Sequence, residues 1–132
     1  MKLYLAGPMR GYPEFNFPAF RQAAAWLREQ GHFVFSPHER DEEKHGSDVS
    51  TGNVTGDEEI AKQTHGFNLR EALFDDLKFI TLEAEGIAML PGWEKSKGAN
   101  AERATAIALG LDVYELDKNY DCDLLTPLRQ EL

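Results

Sequence analysis

The segment 90–104, LPGWEKSKGANAERA, places two glutamates, a serine and two glycines directly behind an apolar run. Ser96 and Gly98 stand where a helix is predicted to begin, and the free backbone N–H groups of a first helical turn bind anions such as phosphate. An ordinary helix cap, in which the Ser96 side chain accepts a backbone hydrogen bond, explains the same serine. The segment is therefore either a solvated strand-to-helix turn or an active-site loop in which Glu94 or Glu102 takes part in chemistry.

Carboxylates on two predicted helices are candidates for this chemistry. Glu102 lies in the first turns of its helix, where the helix field keeps a carboxylate ionised and suited to act as a nucleophile. A surface glutamate that matches the helix dipole is the alternative. Asp75 and Asp76 lie near the middle of the preceding helix, and one of them falls on its apolar stripe. A half-buried carboxylate there is either a structural hydrogen-bond acceptor or a catalytic acid.

A second candidate loop, GPMRG, follows the first apolar run of the chain. Gly7 and Gly11 allow the backbone to approach a ligand, and Arg10 offers paired donors to a phosphate. Pro8 and Met9 complete this loop. Four aromatic residues nearby either stack on a base or, as is commoner, pack in the interior: Tyr4, Tyr12, Phe15 and Phe17.

Length, charge and cysteine content restrict the class of protein. A chain of 132 residues with 42% hydrophobic content is predicted to form one domain, 1–132. Its formal charge of 14 − 23 = −9 disfavours a nucleic-acid polymer as partner. The single cysteine excludes an internal disulfide and fits a reducing, cytoplasmic location. The first residues hold too short an apolar stretch for a signal peptide, and no membrane span is predicted.

Hydrophobic patterning predicts strands alternating with helices. The strands are KLYLAG, HFVFSP, GIAML and LDVYEL, and the helices span 16–30, about 68–80 with Asn68 as cap, and from residue 96 or 98 to 109. A long acidic loop, at about 38–66, is either a solvated insert or a lid or binding loop. The tail, about 117–132, is weakly patterned and is predicted to be a short helix or an arm.

This order predicts an α/β fold, a Rossmann-like or flavodoxin-like three-layer sandwich. Its parallel sheet has four to five strands in the order 2-1-3-4. The chain changes direction across the sheet between strands 1 and 3, whose carboxyl ends open a crevice where ligands bind in such folds. The two loops there are AGPMRGYPEFN and LPGWEKSKGANAE, so topology brings both candidate loops to one pocket.

Two motifs carry a family resemblance. YLAGPMRG and LPGWEKSKGANAE resemble the nucleoside 2-deoxyribosyltransferase-like superfamily, which includes the 2′-deoxynucleoside 5′-phosphate N-hydrolases. The chain is also similar to a small, largely uncharacterised domain family of phages and bacteria with YLAGPM, FNFPAF and LPGWE-x-S-x-GA-x-AE stretches. Those enzymes use a glutamate that attacks the anomeric carbon and displaces the base, and a covalent glycosyl-enzyme is resolved by water or a second base.

The resemblance implies a role for each matching residue. Glu102 is the nucleophile, and Asp76, a better match than Asp75, protonates or anchors the leaving base. Tyr4 lies near the sugar, and Trp93 either packs under its loop or forms a wall of the base pocket. The phosphate contacts fall on Arg10, Ser96 and Gly98, with Gly7, Pro8, Met9 and Gly11 completing the first loop. That loop lacks the serine-bearing segment of the phosphate hydrolases, which removes one phosphate contact.

The sequence thus predicts an N-glycosidase or deoxyribosyltransferase whose partner is a nucleoside or its 5′-monophosphate. No metal or other cofactor is expected. The resemblance further implies a homo-oligomer, a dimer or higher. Two other classes stay open: a non-catalytic module that binds or sequesters a nucleotide on the same fold, and a structural partner protein.

Overall fold

The computed structural model describes residues 1–9, 12, 16–39, 69–117 and 126–127, the last two by their backbone alone. Its elements, in chain order, are β1 (Lys2–Ala6), α1 (Phe17–Glu29), β2 (Phe33–Phe35), α2 (Leu69–Leu82), β3 (Gly86–Met89), a 3-10 helix (Trp93–Lys95), α3 (Lys97–Ala108), β4 (Asp112–Glu115) and β5 (Thr126–Pro127). None of the helices in these described ranges is long and apolar enough to cross a membrane.

The described strands form one sheet in the order β2-β1-β3-β4-β5. The first four strands are parallel, and β5 pairs antiparallel with β4. The predicted α/β class and the strand order 2-1-3-4 are therefore confirmed. The pairing of β5 with β4, within the stretch for which an arm or a short helix was predicted, was not foreseen.

Turn residues set the helix boundaries close to where the sequence predicts them. Gly31 and Gly110 follow α1 and α3 with φ angles of 93° and 73°, in the left-handed region that ends helices. Ser96 caps α3, and a proline occupies the first turn of α1. The predicted cap of α2, Asn68, lies outside the described residues.

The two faces of the sheet have different contents. Side chains of β1 alternate, so Leu3 and Leu5 join the apolar cluster under α1, whereas Tyr4 and Ala6 join the cluster under α2 and α3. All four side chains are fully buried. The face covered by α2 and α3 is thus the one that receives a tyrosine hydroxyl from the central strand.

The segment directly after β2 is packed, not solvated. His38 is buried beside the rings of Phe17 and Phe20, and its Nδ1 lies 2.5 Å from Ser36 Oγ. Both guanidinium NH groups of Arg28 bond the Glu39 carboxylate, at 2.6 and 2.5 Å, which lowers the pKa of Glu39. Of the acidic loop predicted at about 38–66, residues 38 and 39 therefore make packed or paired contacts, and the remainder lies outside the described residues.

Candidate functional site

The loops that follow β1 and β3 touch at the carboxyl end of the sheet. The Leu90 N–H donates to the Ala6 carbonyl at 2.8 Å, which continues the strand pairing into both loops. A Cβ built on Gly92 would lie 3.0 Å from the Tyr12 hydroxyl oxygen and 3.5 Å from Pro8 Cγ. The two loops predicted to meet at the switch point are therefore neighbours.

A buried hydrogen bond joins β1 to α3 beneath these loops. The Tyr4 hydroxyl donates to Glu102 Oε2 at 2.6 Å, and the two residues are 0% and 6% exposed. Glu102 lies on the second turn of α3, on the side that faces the sheet with Ala99 and Ala106. A hydroxyl oxygen 2.6 Å from a carboxyl oxygen lies within the distance range of charge-assisted O–H···O hydrogen bonds, the strong class.

Of the two adjacent aspartates, Asp76 lies on the buried face of α2. It is 6% exposed and shares that face with Ala72, Phe79 and Ile80, whereas Asp75 is half-buried. Phe79 and Ile80 belong to the same apolar cluster as Tyr4 and Ala99, and α2 packs on α3. Asp76 and Glu102 are thus both buried on the two helices that cover one face of the sheet.

The turn before α3 carries a capped helix start. Ser96 Oγ accepts the Ala99 N–H at 3.1 Å, and the first bond of the helix runs from the Asn100 N–H to the Ser96 carbonyl at 3.0 Å. The N–H groups of Lys97 and Gly98 precede this first intrahelical bond. Among the described residues, a Cβ on Gly98 would meet Ser96 Oγ alone, at 4.0 Å, so their packing does not require glycine there.

The Asn100 side chain fastens this turn. Its amide NH₂ lies within bonding distance of three carbonyl oxygens: those of Trp93 at 3.4 Å, Glu94 at 3.0 Å and Ser96 at 2.8 Å. The Trp93 and Glu94 carbonyls belong to the 3-10 helix, and the Ser96 carbonyl also accepts the first bond of α3. Asn100 therefore holds the connection between β3 and α3 in one conformation.

Trp93 packs at the outer side of the same turn. Its indole N–H donates to Glu115 Oε1 at 2.9 Å, and the Arg103 guanidinium carbon lies 4.8 Å from the centre of its ring. It is half-buried against the apolar cluster under α2 and α3. Of the two roles predicted for Trp93, these contacts support packing, and a contact with a base stays a prediction.

Close packing constrains the first loop at Gly7. A Cβ on Gly7 would lie 2.7 Å from Leu90 Cβ and 2.9 Å from Leu90 Cδ1, so packing alone demands glycine. The Pro8 carbonyl accepts from Asn16 Nδ2 at 3.1 Å, and Met9 packs on the apolar cluster under α1. Arg10 and Gly11 lie outside the described residues, so their predicted phosphate contacts stay predictions.

The sequence did not predict contacts for four residues, three around the turn before α3 and one just after β2: Asn100, Arg103, Glu115 and His38. A positional rule identifies two of them. Glu115 ends β4 and His38 closely follows β2, and side chains at the carboxyl ends of parallel strands line the ligand edge. Asn100 and Arg103 are identified only by the contacts that they make with the turn in the structure.

Within the part of the chain that the structure describes, no group of three or more histidine, cysteine, aspartate or glutamate residues could hold a metal ion. The described residues of the candidate site comprise two buried carboxylates, one tyrosine hydroxyl, and a helix start with open space beside Gly98.

Comparison with curated proteins found no match to this chain. The model of one family, described as a domain of unknown function (DUF4406), matches residues 1–115. The match covers β1 to β4, both loops and the residues of the candidate site. The chain therefore belongs to the DUF4406 family.

Proposed function

We propose that the protein is a retaining N-glycosidase or deoxyribosyltransferase that acts on a nucleoside or its 5′-monophosphate. The observation that carries the proposal is the 2.6 Å hydrogen bond from Tyr4 to the buried Glu102 carboxylate at the switch point of the sheet. A carboxylate buried on a helix, bonded from the central strand and beneath two loops, suits a nucleophile better than a surface acid.

In the proposed reaction, a Glu102 oxygen forms a bond to the anomeric carbon as the bond between that carbon and the base breaks. The electron pair of the broken bond leaves with the base, which takes a proton from Asp76 in its protonated form. As water or a second base attacks the same carbon, it gives a proton to the Asp76 carboxylate and releases Glu102, so configuration is retained. Two carboxyl groups with unlike protonation are the usual requirement for this chemistry.

Tyr4 has a defined task in this mechanism. Its hydroxyl proton fixes Glu102 Oε2, which restricts rotation of the carboxylate and stabilises its negative charge before attack. As the carboxylate loses charge in forming the glycosyl bond, this hydrogen bond weakens. When Glu102 leaves in the second step, the bond strengthens again and assists departure.

A 5′-phosphate has its proposed place at the start of α3. The Lys97 and Gly98 N–H groups precede the first helical bond, and the space beside Gly98 is open. The Ser96 hydroxyl oxygen accepts the cap hydrogen bond from Ala99, and its O–H can donate to a phosphate oxygen. Arg10 of the first loop is the proposed counter-charge.

The test is base release from a panel of nucleosides, 2′-deoxynucleosides and their 5′-monophosphates, separated by chromatography. Glu102→Gln keeps the size of the side chain and an oxygen acceptor for Tyr4. It is expected to lower kcat by about 10³-fold or more with substrate affinity largely kept, because a nucleophile acts mainly in the transition state. Glu94→Gln, an identical change on the exposed side of the same loop, is the matched control.

Equal turnover by the Glu102 and Glu94 variants would exclude the proposed nucleophile. A wild-type protein that is stabilised by a nucleotide without releasing base would instead be the non-catalytic binding module.

A further inference from the structure

Two aromatic rings from two other elements pack against Tyr4. Tyr4 of β1 stacks on Phe35 of β2 with ring centres 5.7 Å apart, and Phe35 stacks on Phe79 of α2 at 4.6 Å. Phe79 also lies 6.4 Å from Tyr4, at a tilt of 36°. We call Phe35 and Phe79 the aromatic clamp. Strand register places Phe35 of the clamp beside Tyr4, since these two residues are direct partners in the pairing of β1 with β2.

The clamp restricts the Tyr4 ring. Tyr4 is fully buried, and stacked and tilted rings at these distances attract each other beyond simple burial. A tyrosine ring has two main side-chain torsions, and contacts on its face limit both. Its hydroxyl lies at the far end of the ring, so a small rotation about the Cα–Cβ bond displaces the hydroxyl more than any other atom of the side chain.

The same clamp joins both proposed catalytic carboxylates. Phe79 lies three residues after Asp76, on the same buried face of α2. Tyr4 reaches from the other side of the clamp to Glu102 on α3. The helix that carries Asp76 and the hydroxyl that orients Glu102 therefore rest on one set of rings.

We infer that Phe35 and Phe79 are positioning residues, which hold the Tyr4 hydroxyl on Glu102; the inference rests on the proposed role of Glu102 as nucleophile. Neither ring needs to touch the substrate. Their effect is exerted through the geometry of Tyr4, so it disappears when the Tyr4 hydroxyl is absent.

A double-mutant cycle tests this dependence. Tyr4→Phe is expected to lower kcat by about 10²-fold, and Phe35→Leu by about tenfold with KM unchanged, because a misplaced donor loses most of its effect. In the Tyr4→Phe background, Phe35→Leu is expected to have no further effect on kcat. Phe33→Leu is the matched control, since Phe33 stacks on Phe79 at 6.2 Å but is 58% exposed and one ring removed from Tyr4.

A second measurement does not depend on turnover. The buried Tyr4 hydroxyl proton is expected to give a downfield NMR resonance, which Phe35→Leu and Phe79→Leu shift or broaden and Phe33→Leu leaves in place. Phe35 is only half-buried, so its variant remains informative if the Phe79 variant fails to fold.

The outcomes separate the inference from the proposed function. Additive losses of kcat in the cycle, or an unchanged hydroxyl resonance in the Phe35 variant, overturn the inference and leave Glu102 as nucleophile. A wild-type protein that releases no base overturns the proposed function, while the resonance still decides whether the clamp positions Tyr4.

Discussion

The two loops at the carboxyl end of the sheet are held in different ways. Close packing holds the start of the loop after β1, where Gly7 lies directly against the Leu90 side chain, and a hydrogen bond from Asn16 Nδ2 to the Pro8 carbonyl joins this loop to the start of α1. The turn after β3 is fastened by hydrogen bonds, from Asn100 to three carbonyls and from Ala99 to the Ser96 hydroxyl. Open space lies beside Gly98 and not beside Gly7. A glycine at a candidate site can therefore be required either by close packing in the protein interior or by a ligand that approaches the backbone.

This contrast changes how the two glycine loops are interpreted. Gly7 was predicted to let the backbone approach a ligand and Gly98 to contact a phosphate, and the structure gives Gly7 a packing reason that suffices without a ligand. The described part of the chain gives Gly98 no such reason. We therefore propose that a ligand contacts the second turn, with Arg10 of the first loop as a predicted charge.

The largest expected effect on stability comes from Gly7→Ala. The added Cβ would lie 2.7 Å from Leu90 Cβ, and Leu90 is fully buried, so one of the two loops must move. We expect the free energy of unfolding to fall by about 2–3 kcal/mol, as for overpacked interiors. Denaturant unfolding monitored by circular dichroism measures the change.

Leu90→Ala provides a check on the cause. It removes the Cγ and Cδ1 contacts and keeps the Cβ contact. The double variant should therefore lose less free energy of unfolding than the sum of the losses in the two single variants. Full additivity of the two changes would show that the clash is not between these residues.

Sequence patterns predicted the fold because each local signal agrees with the topology. Apolar runs ended by Gly7 and Pro37 mark strands, and Gly31 and Gly110 end helices where the periodicity stops. Parallel strands with intervening helices then restrict the strand order. His38 was missed because its burial depends on Phe17 and Phe20 of another element, and the polar letters around it resemble a solvated loop.

The site was predicted at the level of elements, not of atoms. Topology places β1 beside β3, and the face alternation of β1 sends Tyr4 toward α3. The bond between Tyr4 and Glu102 joins residues 98 apart in sequence, and it depends on side-chain reach that no local pattern contains. The same holds for the stacking of Phe35 on Phe79 across β2 and α2.

A smaller effect is expected from Asn100→Ala, which tests whether hydrogen bonds hold the second turn. Three carbonyls lose an amide donor, water replaces part of the bonding at this exposed position, and alanine favours the helix. We expect a loss of about 1 kcal/mol in the free energy of unfolding. The control is Thr105→Ala on the same helix, which removes one bond to the Ala101 carbonyl and leaves the turn untouched. A loss no larger than that of the control would contradict the role of Asn100.

The smallest change in stability, and the sharpest test of the contrast, is expected from Gly98→Ala. The added methyl group meets only Ser96 Oγ at 4.0 Å, and alanine restricts the unfolded chain, so the free energy of unfolding should rise by about 0.5 kcal/mol. The methyl group would nevertheless fill the space beside the Lys97 and Gly98 N–H groups. A nucleoside 5′-monophosphate should therefore bind more weakly to this variant in calorimetry, while the matching nucleoside binds as before. If the monophosphate bound the variant as tightly as the wild-type protein, the space beside Gly98 would not be a phosphate site. Gly7 and Gly98 would then differ only in how closely the protein packs around them.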